Sequence, residues 1–314
     1  MSSINKPYND FGSFLHKHFP YKVQKILLNA GFTCPNRDGS KGTGGCTYCN
    51  NQTFSPDYCY SGKSISEQLK EGIAFFASKY PEMKYLAYFQ AYTNTYGSLE
   101  MLMQLYHEAL CFPGVVGLII GTRPDCMPDA LLERLSMLAK SCFVLIEYGV
   151  ETTNNQTLQA INRGHTYEEA VSAIHRTASY GLMCGIHLIL GLPEEDDTTI
   201  LSHAEKTALL PLTTIKLHQL QIIRNTPMAE EYRLHPERFH LLEMDKYIDL
   251  CIDFLERSNP AFVFERFVSQ SPRSLLVAPD WDVKNYEFIA CLNRRITERK
   301  TFQGRFFAVA SSSN

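Results

Sequence analysis

Residues 23–49, VQKILLNAGFTCPNRDGSKGTGGCTYC, join an apolar strand-like run to a loop that carries cysteines at positions 34, 46 and 49. Three thiolates hold three irons of a 4Fe–4S cluster and leave the fourth iron open to a ligand with an amine and a carboxylate. Gly39, Gly42, Gly44 and Gly45 let the backbone wrap closely around a compact inorganic core. Tyr48, just before the last cysteine, is placed to shield a cluster or its ligand from water. Zinc is the rival reading: Cys34, Cys46 and Cys49 with Cys59 make a four-thiolate set. Zinc ribbons usually pair two CxxC knuckles, however, and only one is present. Ten cysteines in 314 residues are too few for a disulfide scaffold, so the others read as buried small hydrophobes.

The chain is 45% hydrophobic with a net charge of −3, an ordinary globular balance. Such a charge sets up no global field for nucleic acid. The first residues lack the pattern of a signal peptide, and no apolar run is long enough to span a bilayer. Free cysteines then lead to the expectation of a cytoplasmic protein with no membrane partner.

Downstream of the loop the period alternates. Helices are expected over 64–80, 99–110, 128–140, 154–161, 166–180 and up to about 210. Strands are expected over 84–92, 115–121, 143–150, 182–191 and 214–223. The strands are apolar on both faces, as buried parallel strands are, and the alternation implies βαβ units. The expectation is an α/β fold: a partial (β/α)6 TIM-type barrel of parallel strands over 1–225, with a doubly wound sheet as the alternative. Past 225 the rhythm breaks into a helix near 241–257, a short strand at 261–268 and a helix around 285–299. This stretch, 226–314, reads as a small C-terminal α/β extension packed on the barrel or covering its open side.

Sites of parallel barrels sit at the C-terminal edge of the strands. The cysteine loop follows the first strand. Gln90, Tyr92, Thr93 and Asn94 follow the second, and Thr122, Arg123 and Asp125 the third. Glu147 and Glu151 lie around the end of the fourth, His187 lies in the fifth with Glu194 beyond, and Lys216, His218 and Gln219 lie in the sixth. A carboxylate at such a place accepts hydrogen bonds from a ribose diol. A lone charge at a loop start is as a rule only solvated, but polar residues at successive strand ends beside three cysteines mark a site jointly. Lys216, His218 and Arg266 are candidates for a catalytic acid or base by position alone.

KILLNAGFTCPNRDGSKGTGGCTYCN, YLAYFQAYTNTY, VGLIIGTRPDCMPD, IEYGVETTNNQTLQAINRGH, HLILGLPEE and IKLHQLQIIRNTPMA together resemble the radical SAM superfamily. The likeness is closest to its YhcC-like branch, near the Elongator catalytic-subunit-like proteins. Eleven residues separate Cys34 from Cys46, wider than the superfamily's short CxxxCxxC, and this spacing fits the branch. The resemblance implies that Cys34, Cys46 and Cys49 ligate the 4Fe–4S cluster and that S-adenosylmethionine chelates its open iron. It implies that an electron from the cluster cleaves that cofactor to methionine and a 5′-deoxyadenosyl radical, which takes a hydrogen atom from the substrate. Gln90 and Tyr92 would lie in a loop meeting the methionine amine, Glu147 at the ribose, and His187 in the segment packed on adenine. Tyr48, Thr122 and Arg123 complete the expected cofactor-binding set.

A flavodoxin or ferredoxin type electron donor is implied in the same way. So is tRNA as candidate partner, because nearby relatives act on it and members of the branch are linked to the wobble uridine side chain. Methylthiotransferases usually carry an extra cluster domain and an RNA-binding module; neither is legible, which argues against sulfur insertion. Cationic stretches with aromatics, Lys17, Lys22 and Lys25 near the start and Arg294, Arg295, Arg299, Lys300 and Arg305 near the end, have the composition to track phosphates. A solvated helix face accounts for them equally simply. The open alternatives are a small-molecule substrate and a non-catalytic zinc-stabilised binding protein.

Overall fold

The computed structural model describes residues 6–53, 55–77 and 82–307. An open parallel sheet of seven strands runs through it in chain order. Its strands are β1 (Val23–Leu28), β2 (Lys84–Phe89), β3 (Val115–Thr122), β4 (Phe143–Glu151), β5 (Met183–Leu190), β6 (Thr214–Gln219) and, beyond the short β7 (Ile222–Ile223), β8 (Val263–Arg266). Helix α1 (Phe11–His18) precedes the sheet. The crossovers are α2 (Ile65–Ala77), α3 (Leu99–Cys111), α4 (Asp129–Leu138), the pair α5 (Asn155–Ala160) and α6 (Tyr167–Ser179), and α7 (Asp197–Ala208). Then come α8 (Pro227–Leu234), α9 (Met244–Arg257), β9 (Leu276–Ala278), which pairs antiparallel with β7, and α10 (Asn285–Arg299). The strand order never reverses, so the sheet is a half-barrel rather than a doubly wound sheet, which needs a reversal point.

The expected strands all form, and the stretch at 261–268 does more than pack on the barrel. Val263–Arg266 pairs with β6 and becomes the seventh strand. The expected strand 214–223 stops at Gln219, because Ile222 and Ile223 turn away to pair with β9. The end of the expected helix at 64–80 and the serine-rich tail at 311–314 lie outside the described residues. No helix among the described residues is long and apolar enough to cross a membrane.

The strands have two different faces. Ile26, Phe89, Ile120, Ile146, Leu188 and Ile215 point outward into the main core beneath the helices. The inward face is graded along the strands. At its N-terminal end Leu86, Ile119, Phe143 and Leu145 are apolar and are plugged by Phe11, Phe14 and Leu15 of α1. The polar positions come next, toward the C-terminal edge. Complete burial of a Phe or Leu side chain contributes about 1.5–3 kcal/mol; Phe11, Phe14 and Leu15 are half-buried, so each contributes part of that to closing the bottom of the barrel. Two inward glycines keep the interior open. A Cβ on Gly185 would collide with the Thr214 hydroxyl, and one on Gly149 would stand 2.7 Å from both Arg163 Nη2 and Glu151 Oε1.

The edge strands approach each other through side chains. Lys25 of β1 forms an ion pair with Glu265 of β8, and Phe264 donates its N–H to the Asn9 carbonyl at 2.8 Å, just ahead of α1. Local signals support the crossovers: Thr166 and Glu169 form a reciprocal capping box on α6, and Asp196 caps α7. Each such cap contributes about 1 kcal/mol.

Candidate active site

The cysteine loop leaves β1 at the C-terminal edge of the sheet. It is shaped by its own backbone: Cys34 accepts from the N–H of Arg37 at 2.8 Å, Cys49 donates to the Cys46 carbonyl at 3.0 Å, and Gly45 donates to the Asn36 carbonyl at 2.8 Å. Gly45 adopts φ 80°, where a side chain would also strike the Arg37 guanidinium. The segment after α5 buttresses the loop. Asn162 donates to the Gly45 carbonyl at 2.8 Å, and Thr47 donates to the Ile161 carbonyl at 3.0 Å.

Cys34, Cys46 and Cys49 all line one cavity of about 190 Å³. Two N–H groups aim at the Cys46 sulfur, Arg163 Nη1 at 3.6 Å and Asn36 Nδ2 at 3.8 Å. Burial and the Cys46 thiol push Cys49 up to about 11, against the pull of Arg37 and Arg163. Among the described residues no three His, Cys, Asp or Glu converge closely enough to hold a single metal ion. Three thiols spread around one cavity, with one cationic and one amide donor on a sulfur, fit a polynuclear cluster with one open position. Cys59, the fourth thiolate of a zinc set, is buried and is not on the cavity wall. Burial alone raises its thiol to about 12.

Beneath the cavity lies a charged floor. Lys216 donates to Glu147 Oε2 at 2.6 Å and to the Tyr88 hydroxyl at 3.0 Å, and sits 2.7 Å from Glu265 Oε1. Lys25 pairs with Glu265 and lies 3.7 Å from Glu147 Oε1. His187 Nε2 completes the set at 3.2 Å from Glu147 Oε2. Burial opposes ionisation of Glu147, but Lys216, Lys25 and the His187 hydrogen bond outweigh it and hold its carboxyl well below the usual range. His187 stacks on His218 with centroids 5.6 Å apart. Burial, with Arg266, His187 and Lys216 nearby, keeps His218 well below the usual imidazole range, so it is neutral. Among the described residues the buried atoms without a hydrogen bond include Glu147 Oε1, Glu265 Oε2 and His218 Nε2. A buried acceptor without a donor is costly unless a ligand satisfies it.

The candidates from sequence separate into groups. Tyr48, Gln90, Tyr92, Thr122, Arg123, Glu147, His187 and His218 line the cavity beside the cysteines. Tyr92 does so at φ 64°, a conformation uncommon outside glycine. Thr122 is engaged with the Thr95 hydroxyl at 2.6 Å. Arg123 is largely spent inside the protein, bidentate on Asp125 and donating to the Arg163 carbonyl at 2.7 Å. Lys216 lies in the floor, and Arg266 lines an adjoining cavity. Glu194 is on the surface, 3.9 Å from Arg238.

Three residues of the cavity and its floor, Arg163, Tyr88 and Glu265, were not singled out from sequence. Arg163 sits between two helices, where no strand-end rule points, although the NRG turn after α5 is a signal of a special backbone. Tyr88 and Glu265 sit inside strands that read as uniformly apolar or as edge.

The cationic strips need correction. Lys25 is not on a surface tract but inside the barrel, paired with Glu265. Arg295 pairs with Asp249 at 2.6 Å and Asp245 at 3.0 Å. Arg299 pairs with Asp249 at 2.8 Å and Asp253 at 2.6 Å. Arg294 faces Glu298 on its own helix. An i, i+4 pattern of aspartates on α9 neutralises this strip, so it offers phosphates little net charge.

The comparisons agree with the geometry. The model of the Radical SAM superfamily matches residues 34–207, and that of the Radical_SAM C-terminal domain matches residues 212–298. Protein YtqA of Bacillus subtilis (strain 168) is 33% identical over 307 residues, covering 98% of this chain and 94% of its own. Protein YhcC of Escherichia coli (strain K12) is 35% identical over 297 residues, covering 94% of each chain. Among solved structures, the archaeal Methanocaldococcus infernus Elp3 shares the fold with a TM-score of 0.67 at 15% identity, over 90% of this chain and 64% of that one. The chain belongs to the radical SAM superfamily, whose members use a 4Fe–4S cluster and S-adenosylmethionine, and it is a radical SAM enzyme.

Proposed function

We propose that this radical SAM enzyme modifies a tRNA base, with the wobble uridine side chain as target, and that Cys34, Cys46 and Cys49 are its cluster ligands. When bound, the cluster and S-adenosylmethionine supply an electron and a 5′-deoxyadenosyl radical that takes a hydrogen atom from the substrate. The observation that carries the reading is three thiols facing one cavity whose floor holds an ionised carboxylate. The tRNA target is supported by a more distant likeness. The tRNA uridine(34) acetyltransferase of Methanocaldococcus jannaschii is 26% identical over 121 residues, 38% of this chain and 22% of its own.

The roles follow from what each side chain has free. Glu147 Oε2 is taken by Lys216 and His187, which leaves Oε1 to accept from a ribose hydroxyl. Tyr48, held against Ile189 and Leu220 in an apolar cluster, excludes water from the cluster side. Gln90 and Tyr92 border the place for the methionine amine. Arg163 holds the Gly149 carbonyl and the Cys46 sulfur together, and so fixes the loop to β4. Arg123 fixes the same loop from β3, through Asp125 and Lys41. A flavodoxin or ferredoxin type protein supplies the electron. A small-molecule substrate is the second reading, favoured by the neutralisation of the α10 arginines.

The test begins with anaerobically reconstituted protein. About four irons per chain and 5′-deoxyadenosine on reduction are expected. Replacing any one of Cys34, Cys46 and Cys49 by Ala should abolish both, whereas Cys251→Ala, deep in α9, should leave iron unchanged. Retained product in all three variants would overturn the ligand assignment. Nucleosides from tRNA of cells with and without the gene then test the substrate: a wobble uridine that differs supports the proposal, and identical profiles favour the small molecule.

A further inference from the structure

Among the described residues, a cation without an ion pair stands at the gap between the two edge strands. β6 and β8 slip out of register: Ile215 pairs with Phe264, but the next residue, Lys216, pairs with Arg266. Glu265 and Arg266 therefore share one partner position. Such a bulge at a barrel rim re-aims a side chain. Glu265 turns into the floor to meet Lys25 and Lys216. Arg266 turns into a second cavity of about 450 Å³, bordered by Leu27 of β1 and by Gln90.

The two cavities share Thr53, Gln90, Ser269 and Ser271 as walls, so the second is continuous with the cysteine cavity. The floor balances its own charge, with Lys25 and Lys216 set against Glu147 and Glu265. Among the described residues the Arg266 guanidinium has no hydrogen bond and no ion pair, its charge is felt by His218 and Tyr88, and the residue is half-buried. The strap beside it is fixed rather than loose: Gln219 exchanges two hydrogen bonds of 2.8 Å with Ser269, and Ser271 donates to Gln221 Oε1 at 2.8 Å. His218 Nε2, buried and without a hydrogen bond, lines the cysteine cavity. The second cavity thus presents a fixed wall and a surplus guanidinium whose planar donors match a phosphate.

We propose that Arg266, in the gap between the edge strands, binds a phosphate of the substrate. This rests on the tRNA reading for the identity of the phosphate, a backbone phosphate flanking the modified base. It does not rest on it for the existence of the subsite.

The test compares wild-type protein with Arg266→Gln and Arg266→Lys. Fluorescence anisotropy of a labelled tRNA anticodon stem-loop is followed across a salt series, with calorimetry of S-adenosylmethionine and of inorganic pyrophosphate on the same proteins. The expected result is weaker RNA binding by Arg266→Gln, roughly tenfold, with the salt slope flatter by about one phosphate contact. Arg266→Lys should recover part of the affinity, and cofactor binding should be equal in all three. Wild-type RNA binding that Arg266→Gln leaves unchanged overturns the subsite and spares the tRNA reading. A loss of cofactor affinity with RNA binding intact also overturns it, by placing the guanidinium on the cofactor. If wild type binds no RNA, the tRNA reading fails. Pyrophosphate binding that depends on Arg266 then upholds the subsite, and its absence overturns that as well.

Discussion

Two regions of this molecule are built from the same residue types and behave in opposite ways. On the seam between α9 and α10, Arg295 and Arg299 meet Asp245, Asp249 and Asp253 with each arginine side chain about 30% exposed. In the floor of the barrel, Lys216 and Glu147 meet with side chains 3% and 1% exposed. The seam has more charges and contacts of similar length. Yet water screens each of its pairs, and exposed pairs contribute about 0–1 kcal/mol. The floor has fewer charges, but each ion there depends on its neighbours, because no water takes over if one is lost. Burial, not the number of charges, separates a surface that is merely solvated from a site.

The contrast can be broken most directly at Lys216. Lys216→Met leaves Glu147 and Glu265 with one cation fewer in a buried setting, and should cost about 3–5 kcal/mol. A urea-denaturation midpoint equal to wild type would mean that the floor is hydrated and that the contrast is false.

A smaller effect separates the regions by pH. Burial, against the pull of Glu265, lowers the Lys25 ammonium to about 8. An unfolded lysine titrates near 10.4. Between these values the unfolded chain binds more protons than the folded one, so this group adds stability as pH rises through the window and opposes folding fully below it. Lys25→Met should abolish that gain. The measurement is the difference in urea midpoint between wild type and variant at about pH 7.5 and about pH 10. A difference that does not grow with pH would show that Lys25 is solvated.

The smallest change belongs to the seam. Replacing Arg294, Arg295 and Arg299 together by Gln should cost no more than about 1 kcal/mol per pair, less in high salt. It should leave anticodon stem-loop affinity within a factor of about two, since these arginines are already paired. A large loss of affinity would return the RNA interface to α10.

The regions also differ in how far the sequence revealed them. The sheet was legible because β2 to β6 are largely apolar runs separated by helices, most of them capped, and the cysteine loop because its spacing is chemical. The seventh strand was only half legible. AFVFERFV reads as a short strand, but Glu265 and Arg266 within it look like an exposed edge. Alternation shows that Lys25 and Glu265 face away from the outer core. It does not show whether the other side is water or the inside of a barrel, and that depends on a curl that joins residues far apart in the chain. Arg163 was missed for a related reason, since its role comes from contacts with Gly149 and Cys46 that no local pattern encodes.

That remoteness has a consequence for how the protein is made. Lys216 and Glu147 are 69 residues apart, and Lys25 and Glu265 are 240. Translation proceeds at about 5–20 residues per second, so roughly 12–48 s pass between synthesis of Lys25 and of its partner. Cys34, Cys46 and Cys49 emerge near the start of that interval, and Ser269 and Ser271, which wall their cavity, just after its end. For that period the nascent chain displays three thiols without the enclosure that will protect them. The half-barrel therefore becomes a finished vessel for its cluster only after the last strand of the sheet has left the ribosome.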